Sequence, residues 1–243
     1  MAWFFTEEEI NSDIYTVMGE DARHMEKSLR MKVGETVTLV TPSGMETLCE
    51  ITAFSPSGVA VRVISQKTTL QEAGVKVTLY QCLLKGDKMD FIIQKAVELG
   101  VTEIVPVVSS RCVSRPDEKS IRKKVERWQK IALSAAQQSM RGTVPQVSPA
   151  VSFEAAVRNA AENSRGIIFY EGGGESLRKL ISEDKKENIS IFIGSEGGFE
   201  LSEVEFAKEH GVVPATLGKR ILRAETAPLA ALSVIMCLSG NMD

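Results

Sequence analysis

The sequence predicts an α/β fold in which a mostly parallel sheet follows a small, separate antiparallel sheet or barrel. Residues 35–64 contain three short runs that alternate apolar and polar side chains, whereas strands alternate with helices after Gly74, which is the pattern of βαβ units. A hydrophobic strand, Ile189–Ile193, then enters the glycine-rich turn Gly194–Gly198. Turns of this kind after parallel strands lie at the sheet edge that binds ligands.

Composition indicates an ordinary globular protein and excludes several other classes. The 243 residues are 43% hydrophobic, which is enough for one large domain or two modest ones. The start of the chain turns acidic at Glu7 and lacks the features of a signal peptide, and the apolar stretch Ala227–Leu238 is shorter than the roughly 20 residues of a membrane span. The four cysteines show no CxxC spacing, which argues against a metal site and a disulfide framework. We therefore predict a cytoplasmic protein.

The first 70 residues predict a small β domain. The basic segment Ala22–Arg30 predicts one short helix, and the three alternating runs after it are separated by proline, serine and glycine residues that favour hairpin turns. These runs are Thr36–Thr41, Glu46–Phe54 and Val59–Ile64. The polar stretch Gln66–Gly74 has no periodicity and predicts a linker, so we place the domains at residues 1–70 and 71–243.

The second domain alternates strands with helices. The segment Met89–Leu99 predicts an amphipathic helix closed by Gly100, and Glu118–Arg141 repeats apolar residues at three- and four-residue spacing, as a long helix does. Shorter helices are predicted at Phe153–Glu162 and Glu175–Ile181. The predicted strands are Val75–Leu84, Glu103–Val108, Gly166–Tyr170, Ile189–Ile193 and Val212–Leu217.

Two further helices are predicted from their start signals. Ser202, with Glu205 three residues later, has the spacing of a capping box, and this helix ends at Gly211. Thr226 is expected to cap the final helix, in which Pro228 occupies the first turn, where a missing amide hydrogen costs little.

Positive charge is concentrated in two segments although the net charge is only −3. Residues 119–141 contain seven basic side chains and one acidic side chain, and residues 23–32 contain four basic side chains and one acidic side chain. Local basic faces are typical of proteins that bind a polyanion. A solvated helix face is the alternative, and charge alone does not decide between the two.

The turn Gly194–Gly198, with the sequence GSEGG, has the chemistry of a ligand-binding loop. Glycine allows the backbone to pass close to a ligand, but the sequence matches neither a Walker A loop nor the GxGxxG dinucleotide motif. The carboxylate of Glu196 repels phosphate, so a neutral or cationic ligand fits better. An ordinary strand-to-helix turn is the alternative. Two further glycine turns, at Leu217-Gly218 and Gly172–Gly174, favour the ligand interpretation.

Arg220, Arg223 and Glu225 lie between the last predicted strand and the last predicted helix, near the same edge. Guanidinium groups at this place can hold phosphate or carbonyl oxygens through forked hydrogen bonds. A surface ion pair between Arg223 and Glu225 is the alternative. The chain has two histidines and no identifiable Ser-His-Asp or Cys-His set, so hydrolytic chemistry has little support.

Two segments carry a family resemblance: IGSEGGF at residues 193–199 and LGKRILRAETA at residues 217–227. They resemble signature sequences of the SPOUT methyltransferases and, within them, of the bacterial enzymes that methylate N3 of a uridine in 16S ribosomal RNA. The resemblance extends over nearly the whole chain. The other similar segments are residues 23–35, 85–107, 110–113 and 124–141.

The resemblance implies a PUA-like β-barrel in front of an α/β domain whose C-terminal part forms a deep trefoil knot. It also implies that two chains form a homodimer, with Pro228–Leu238 contributing to the interface, and that three loops bind S-adenosylmethionine. No metal is expected. The residues implied to bind the cofactor are Tyr170, Glu171, Gly172, Ile193, Gly194, Glu196, Gly197, Gly198, Leu217, Gly218, Ile221 and Leu222.

The resemblance further implies that the substrate is a uridine of 16S ribosomal RNA near the decoding centre of the small ribosomal subunit. Arg220 or Arg223 is expected to bind a developing uracil oxyanion, and Glu225 is the nearest candidate base. Basic side chains are expected to hold the RNA backbone and to make its affinity salt dependent. They are Arg23, Lys27, Arg30, Lys85, Lys88, Arg111, Arg115, Arg141 and Lys219.

Two positions depart from the family pattern, since Ser195 and Lys219 stand where many relatives carry proline, and we expect both loops to be less rigid. Three other interpretations compete: a methyltransferase for another ribosomal or transfer RNA nucleotide, a nonenzymatic RNA-binding module, and a nucleotide-dependent oxidoreductase. The module has no use for three glycine loops at one sheet edge. The oxidoreductase lacks the GxGxxG motif.

Overall fold

The computed structural model describes residues 2–69, 72–183 and 188–242. They form two compact units, one of Met1–Glu72 with Ala136–Val144 and one of Ala73–Ala135 with Pro145–Asp243. The boundary predicted between residues 70 and 71 lies outside the described residues. Within the described ranges, no helix is long and apolar enough to cross a membrane.

The first unit is built on a five-stranded sheet with the order β1-β3-β4-β5-β2. Its strands are β1 (Ala2–Phe5), β2 (Ile14–Val17), β3 (Thr36–Val40), β4 (Met45–Ser55) and β5 (Gly58–Thr68). The three alternating runs form β3, β4 and β5, which pair antiparallel as predicted, and β1 adds to β3 in parallel. Helix α1 (Gly19–Arg23) continues into a short π-helix, His24–Ser28, whose Met25 is fully buried in the core.

Three features of this unit differ from the prediction. Residues 66–68 belong to β5 rather than to a linker, because they pair with the beginning of β4. Strands β1 and β2 were not predicted, since each has four residues and receives its partner from a distant part of the chain. The long helix predicted to reach Arg141 ends at Gln138.

Arg141 is an internal residue of the first unit. Its side chain is 6% exposed, and its Nη2 atom lies 2.5 Å from a carboxylate oxygen of Glu72. The same carboxylate accepts hydrogen bonds from the amides of Gly142 and Thr143. Burial of Glu72 opposes its ionisation, but these donors outweigh burial and hold its pKa below the ordinary value. This ion pair engages the guanidinium of Arg141 within the first unit, and RNA binding by Arg141 stays a prediction.

The second unit confirms the predicted α/β class. Its sheet has the order β11-β13-β10-β12-β6-β7-β8, with β9 beside β7, and the strand pairs among the described residues are parallel. The central strands are almost continuously apolar because helices cover both faces of such sheets. The strands are β6 (Lys76–Cys82), β7 (Glu103–Val108), β8 (Gln146–Val147), β9 (Val151–Ser152), β10 (Arg165–Phe169), β11 (Glu175–Ser176), β12 (Asn188–Ile193) and β13 (Val213–Thr216).

The helices of this unit follow the predicted order. They are α2 (Lys88–Glu98), α3 (Glu118–Gln138), α4 (Phe153–Asn163), α5 (Leu177–Glu183), α6 (Leu201–Glu209) and α7 (Ala227–Leu238). The predicted start of α5 is two residues early, because Glu175 and Ser176 pair with β13 as strand β11.

One predicted helix cap is wrong and the other is confirmed in position. Helix α6 is capped by Glu200, which forms a capping box with Glu203, rather than by Ser202 with Glu205. Thr226 is the N-cap residue of α7 as predicted, but its side chain makes no cap hydrogen bond. Its amide donates to the carbonyl of Arg223, so a backbone turn leads into α7.

After β13, the chain crosses back towards the middle of the sheet. It leaves β13, which lies between β10 and β11, and α7 then packs against β6 and β12 in the middle of the sheet. Residues 217–226 form the segment between them. The deep trefoil knot implied by the resemblance stays a prediction.

Candidate active site

Three loops enclose a cavity of about 450 Å³ at the carboxyl edge of the parallel sheet. They follow β10, β12 and β13, which are adjacent in the order β13-β10-β12. All the residues predicted to bind the cofactor line this cavity except Gly172, as do Arg220, Arg223 and Glu225. The volume is within the range of about 300–1,000 Å³ typical of small-molecule sites. The sheet order thus brings together three glycine turns from separate parts of the chain (170–172, 194–198 and 217–218).

Sequence reasoning missed several cavity residues. Phe169, Ala215 and Thr216 are the last residues of their strands, and Ser195 and Ala224 lie within loops already identified. For Phe169, Ala215 and Thr216, the available signal was their position at the end of a strand that leads into a glycine turn. Ala227 begins α7 and has no comparable signal.

The turn after β12 requires glycine at two positions. Gly198 has a φ of +68°, and a Cβ atom there would lie 2.9 Å from the carboxylate of Glu171. A Cβ atom on Gly194 would lie 3.0 Å from the backbone of Gly198. The amide of Gly198 donates to the carbonyl of Ser195 over 2.9 Å, so the turn folds tightly upon itself.

Lys88 lies between two carboxylates in the cavity wall. Its Nζ atom is 3.2 Å from Oε1 of Glu196 and 3.4 Å from Oε2 of Glu225. Oε2 of Glu225 is buried and its contact with Lys88 is an ion pair outside hydrogen-bond geometry. The amide of Lys85 also donates to Glu196 over 3.2 Å.

These contacts determine the charge of the wall. Burial of Glu196 opposes its ionisation, but its own amide, the amide of Lys85 and the ammonium of Lys88 hold its pKa below the ordinary value. The hydrogen bond to Glu196 raises the pKa of Lys88. Both groups are therefore charged at neutral pH, and the wall presents a carboxylate whose position is held by a cation.

Arg220 and Arg223 belong to the cavity lining and are exposed. The carbonyl of Arg223 accepts hydrogen bonds from the amides of Thr226 and Ala227, at 2.9 and 3.0 Å. Its backbone is thereby held in the turn before α7, while its guanidinium faces solvent. The ion pair considered between Arg223 and Glu225 is not formed, because Glu225 pairs with Lys88.

The structure divides the residues predicted to bind RNA into two groups. Arg111 donates to Glu200 and to the carbonyl of Gly197, and Arg115 donates to the carbonyls of Cys112 and Ser110. These two side chains, like Lys88 and Arg141, have partners within the protein. Arg111 and Arg115 are nevertheless exposed, as are the remaining residues: Arg23, Lys27 and Arg30 in the first unit, and Lys85 and Lys219 in the second.

The site contains carboxylates, arginines and backbone groups rather than a metal centre. In the described part of the chain, no group of three or more His, Cys, Asp and Glu side chains could hold a metal ion. A concave cavity lined by three carboxylates (Glu171, Glu196 and Glu225) and by two exposed arginines can hold a small ligand beside a larger anionic one.

Comparisons with known proteins place these features in a family. A family model described as an RNA methyltransferase domain matches residues 71–236. Ribosomal RNA small subunit methyltransferase E of Bacillus subtilis is 36% identical over 227 residues, which cover 91% of this chain and 89% of that protein.

Solved structures agree with this result. The crystal structure of a ribosomal RNA small subunit methyltransferase E from Neisseria gonorrhoeae, bound to S-adenosyl methionine, has a TM-score of 0.89 and 34% identity, and the match covers 98% of each chain. A methyltransferase from Legionella pneumophila in complex with the bound cofactor SAM has a TM-score of 0.89 and 30% identity, over 97% of each chain.

Proposed function

Because the chain belongs to the RNA methyltransferase domain family, we propose that it transfers a methyl group from S-adenosylmethionine to small-subunit ribosomal RNA. The observation that carries this proposal is the cavity between the loops after β10, β12 and β13, with Glu196 in its wall and Arg220 and Arg223 at its rim. Similar proteins are named for small-subunit ribosomal RNA methylation, and two similar structures hold this cofactor.

The residues of the cavity fit S-adenosylmethionine. The molecule carries a sulfonium and an ammonium group, and the ionised Glu196 offers a negative charge that suits them and disfavours a bare phosphate. The cavity volume of about 450 Å³ fits a ligand of this size. The residues that would hold it are Tyr170, Glu171, Ile193, Gly194, Glu196, Gly197, Gly198, Leu217, Gly218, Ile221 and Leu222. Gly172 supports this wall indirectly, since a Cβ atom there would collide with the ring of Tyr170.

We propose uracil N3 as the methylated atom, on the family resemblance of residues 193–199 and 217–227. S-adenosylmethionine supplies an electrophilic methyl group when bound, so the protein must provide position and charge rather than a covalent nucleophile. Arg223, or Arg220, stabilises the negative charge that develops on a uracil oxygen as N3 loses its proton. Arg223 is the better placed, because its backbone is held before α7.

Glu225 is the candidate that accepts the N3 proton. It belongs to the cavity lining, and the ammonium of Lys88 lies 3.4 Å from its Oε2 atom. Its carboxylate therefore lies in the same cavity as the two arginines, which would stabilise the charge that develops on the uracil oxygen.

RNA binding is assigned to exposed basic side chains. Arg23, Lys27 and Arg30 form a cluster on the first unit. On the second unit we assign RNA binding to Lys85, to Lys219 and to exposed basic residues of α3. These helix residues are Lys119, Arg122, Lys123, Lys124 and Lys130. Phosphate contacts of this kind make affinity fall steeply with salt concentration.

We further propose that the protein acts in the cytoplasm, where ribosomal subunits are assembled, and that it works as a homodimer. Helix α7 buries Ala231, Leu232 and Ile235 but leaves Val234 and Leu238 38% and 37% exposed. This apolar strip at the exposed side of α7 is the surface we assign to the second copy.

Binding and product analysis test the function. Calorimetry should show binding of S-adenosylmethionine and S-adenosylhomocysteine, and no binding of NAD. Small ribosomal subunits from a strain that lacks the homologous enzyme should then gain one methyl group, recovered as 3-methyluridine after digestion and mass spectrometry. Methylation of a different nucleoside would leave the enzyme class intact and overturn uracil N3. Failure to bind either sulfur compound would overturn the methyltransferase assignment and leave the RNA-binding module.

A further inference from the structure

We propose that Arg111 is a positioning residue that holds the turn Gly194–Gly198 in its binding conformation, together with the hydroxyl of Ser195, and that it does not contact RNA. The proposal rests on the proposed function, since this turn is the one assigned to S-adenosylmethionine. Arg111 was expected to bind RNA, but its side chain donates its hydrogen bonds to groups within the protein.

The guanidinium of Arg111 uses each of its nitrogens within the protein. Nε and Nη2 donate to the two carboxylate oxygens of Glu200 over 2.8 and 3.1 Å, which is the forked geometry of a strong arginine–carboxylate pair. Nη1 donates to the carbonyl of Gly197 over 2.8 Å. One side chain thus connects the middle of the glycine turn with the first residue of the α6 cap.

The backbone of residues 110–111 also forms hydrogen bonds with the turn and with α6. The hydroxyl of Ser195 donates to the carbonyl of Arg111 over 3.1 Å and accepts from the amide of Gly197 at 3.4 Å. The amide of Ser110 donates to Glu203 over 2.8 Å, and Glu203 is 6% exposed. Residues 110–111, which follow β7, are therefore hydrogen-bonded both to the turn after β12 and to the first turn of α6.

Close packing accompanies these hydrogen bonds. A Cβ atom on Gly197 would lie 3.2 Å from Cβ of Arg111, so the turn lies directly against the stem of the arginine. Ser195 is 5% exposed. We expected this loop to be less rigid because it has serine where many relatives have proline. The hydroxyl of Ser195 offsets that loss, since its two hydrogen bonds restrict the same stretch of backbone.

The electrostatics near Arg111 disfavour an RNA phosphate. Glu200 is paired with it, and the carboxylate of Glu171 lies 4.0 Å from Nη1. Hydrogen bonding to Glu200 raises the pKa of Arg111, and the same contact lowers the pKa of Glu200. A phosphate would have to approach two carboxylates and displace existing hydrogen bonds, at a cost that exposed lysines and arginines do not carry.

The test compares Arg111→Met and Arg111→Lys with Arg178→Met, a matched control because Arg178 is an exposed arginine of α5 away from the cavity. For each protein, calorimetry gives the Kd of S-adenosylmethionine, steady-state assays give kcat and the two KM values, and titration of unmethylated small ribosomal subunits at several KCl concentrations gives the salt slope. Circular dichroism and thermal unfolding check that each variant folds.

We expect Arg111→Met to weaken S-adenosylmethionine binding by about tenfold, the factor that corresponds to a lost charge-assisted hydrogen bond. KM for the cofactor should rise with it, while KM for the subunits and the salt slope stay as in the wild type. Arg111→Lys should show nearly the same loss, because an ammonium cannot make the forked contact. Glu200→Gln should be non-additive with Arg111→Met, since both remove the same pair.

The opposite pattern overturns the proposal. A phosphate contact predicts unchanged cofactor binding, a salt slope smaller by about 0.7–0.9, and rescue by Arg111→Lys. Unchanged cofactor binding together with an unchanged salt slope would also reject it. If the wild-type protein itself fails to bind S-adenosylmethionine, the proposed function fails instead, and the two failures are distinguishable.

Discussion

Two loops face each other across the cavity, and their backbones are held very differently. Side-chain hydrogen bonds hold the turn Gly194–Gly198. Lys88 donates to the carboxylate of Glu196, Arg111 donates to the carbonyl of Gly197, and the hydroxyl of Ser195 donates to the carbonyl of Arg111. The segment 217–225 is held mainly at its ends, by the contact of Thr216 with Gly218 and by the turn before α7. Between these ends, Lys219, Arg220 and Ile221 are exposed, and Ile221 is 87% exposed.

This difference matches two kinds of ligand. A small cofactor is bound best by a preorganised cavity, because no binding energy is then used to order the loop. A large RNA surface requires cations that can adjust to phosphates and to one base. The cations also differ: those beside the first turn are paired with carboxylates, whereas Arg220 and Arg223 remain exposed at the rim. Under the proposed function, the same residue types serve structure in one loop and substrate contact in the other.

The largest effect should come from the exposed loop. Arg223→Ala is expected to lower kcat by about 10²–10³-fold, the usual cost of removing a donor to a developing oxyanion, with little change in cofactor Kd. Single-turnover methyl transfer at saturating cofactor and subunits measures it, and Arg178→Ala is the control. Full methyl transfer by Arg223→Ala would remove this residue from the mechanism.

Glycine substitutions compare the two loops directly. Gly198→Ala places a side chain at a φ of +68° and against the carboxylate of Glu171, so we expect cofactor affinity to fall by about tenfold or more, from roughly 1–2 kcal/mol of backbone strain and the displaced carboxylate. Gly218→Ala also places a side chain at a positive φ, +108°, but meets no atom within 4 Å, so it should weaken cofactor binding less, because only Gly198→Ala adds a collision to the strain. Gly211→Ala is the control for strain alone, since it has a φ of +81° outside the cavity. Equal losses of cofactor affinity in Gly198→Ala and Gly218→Ala would contradict the comparison.

Substitution of Lys88 tests whether a cation paired with carboxylates positions the cavity wall rather than binding RNA. Lys88→Met leaves Glu196 and Glu225 without the ammonium between them, and we expect kcat/KM to fall by about tenfold, as for a lost charged hydrogen bond. The salt slope of RNA binding should stay unchanged. Glu196→Gln should be non-additive with Lys88→Met, since both remove the same ion pair. A smaller salt slope in Lys88→Met would instead indicate a phosphate contact.

Lys219 tests the exposed loop with a smaller effect. Lys219→Ala should weaken binding of small ribosomal subunits a few-fold and reduce the salt slope by about 0.7–0.9, the value for one phosphate contact. Cofactor Kd should not change, because this side chain is exposed at the rim. Isothermal titration with cofactor and salt-dependent titration with subunits separate the two. An altered cofactor Kd would show that the two loops are not independent.

The smallest effect is expected on the stability of the protein at acid pH, through Glu196 in the turn Gly194–Gly198. The pKa of Glu196 is below the ordinary value of 4.5 in the folded protein, so its ionised form stabilises the fold above pH 4.5. That contribution is lost as the pH falls through the lower folded pKa. Between pH 6 and pH 3.5, the Tm of Glu196→Gln should therefore fall less steeply than that of the wild type. Parallel curves for the two proteins would show that the ionised Glu196 does not stabilise the fold.

Local patterns predicted much of this molecule. Alternation in residues 36–64 and apolar runs after Gly74 located the main strands, because the two faces of a strand differ in burial in one sheet and not in the other. Glycine turns after strands located the cavity, since parallel strands end at a common edge. Strands β1, β2, β8, β9 and β11 were not predicted, because segments of two or four residues carry too little pattern and depend on partners supplied by other parts of the chain.

By itself, the sequence determined the α/β class, the glycine loops and the presence of arginines beside them. Only the tertiary structure decided which basic side chains are paired with carboxylates. Arg141 meets Glu72, Lys88 meets Glu196, and Arg111 meets Glu200, and the partners are 69, 108 and 89 residues apart in the chain. Hydrophobic periodicity is a local property that a short window reveals, whereas an ion pair depends on where the sheet order brings distant strands together. The physical role of each basic residue follows from that arrangement.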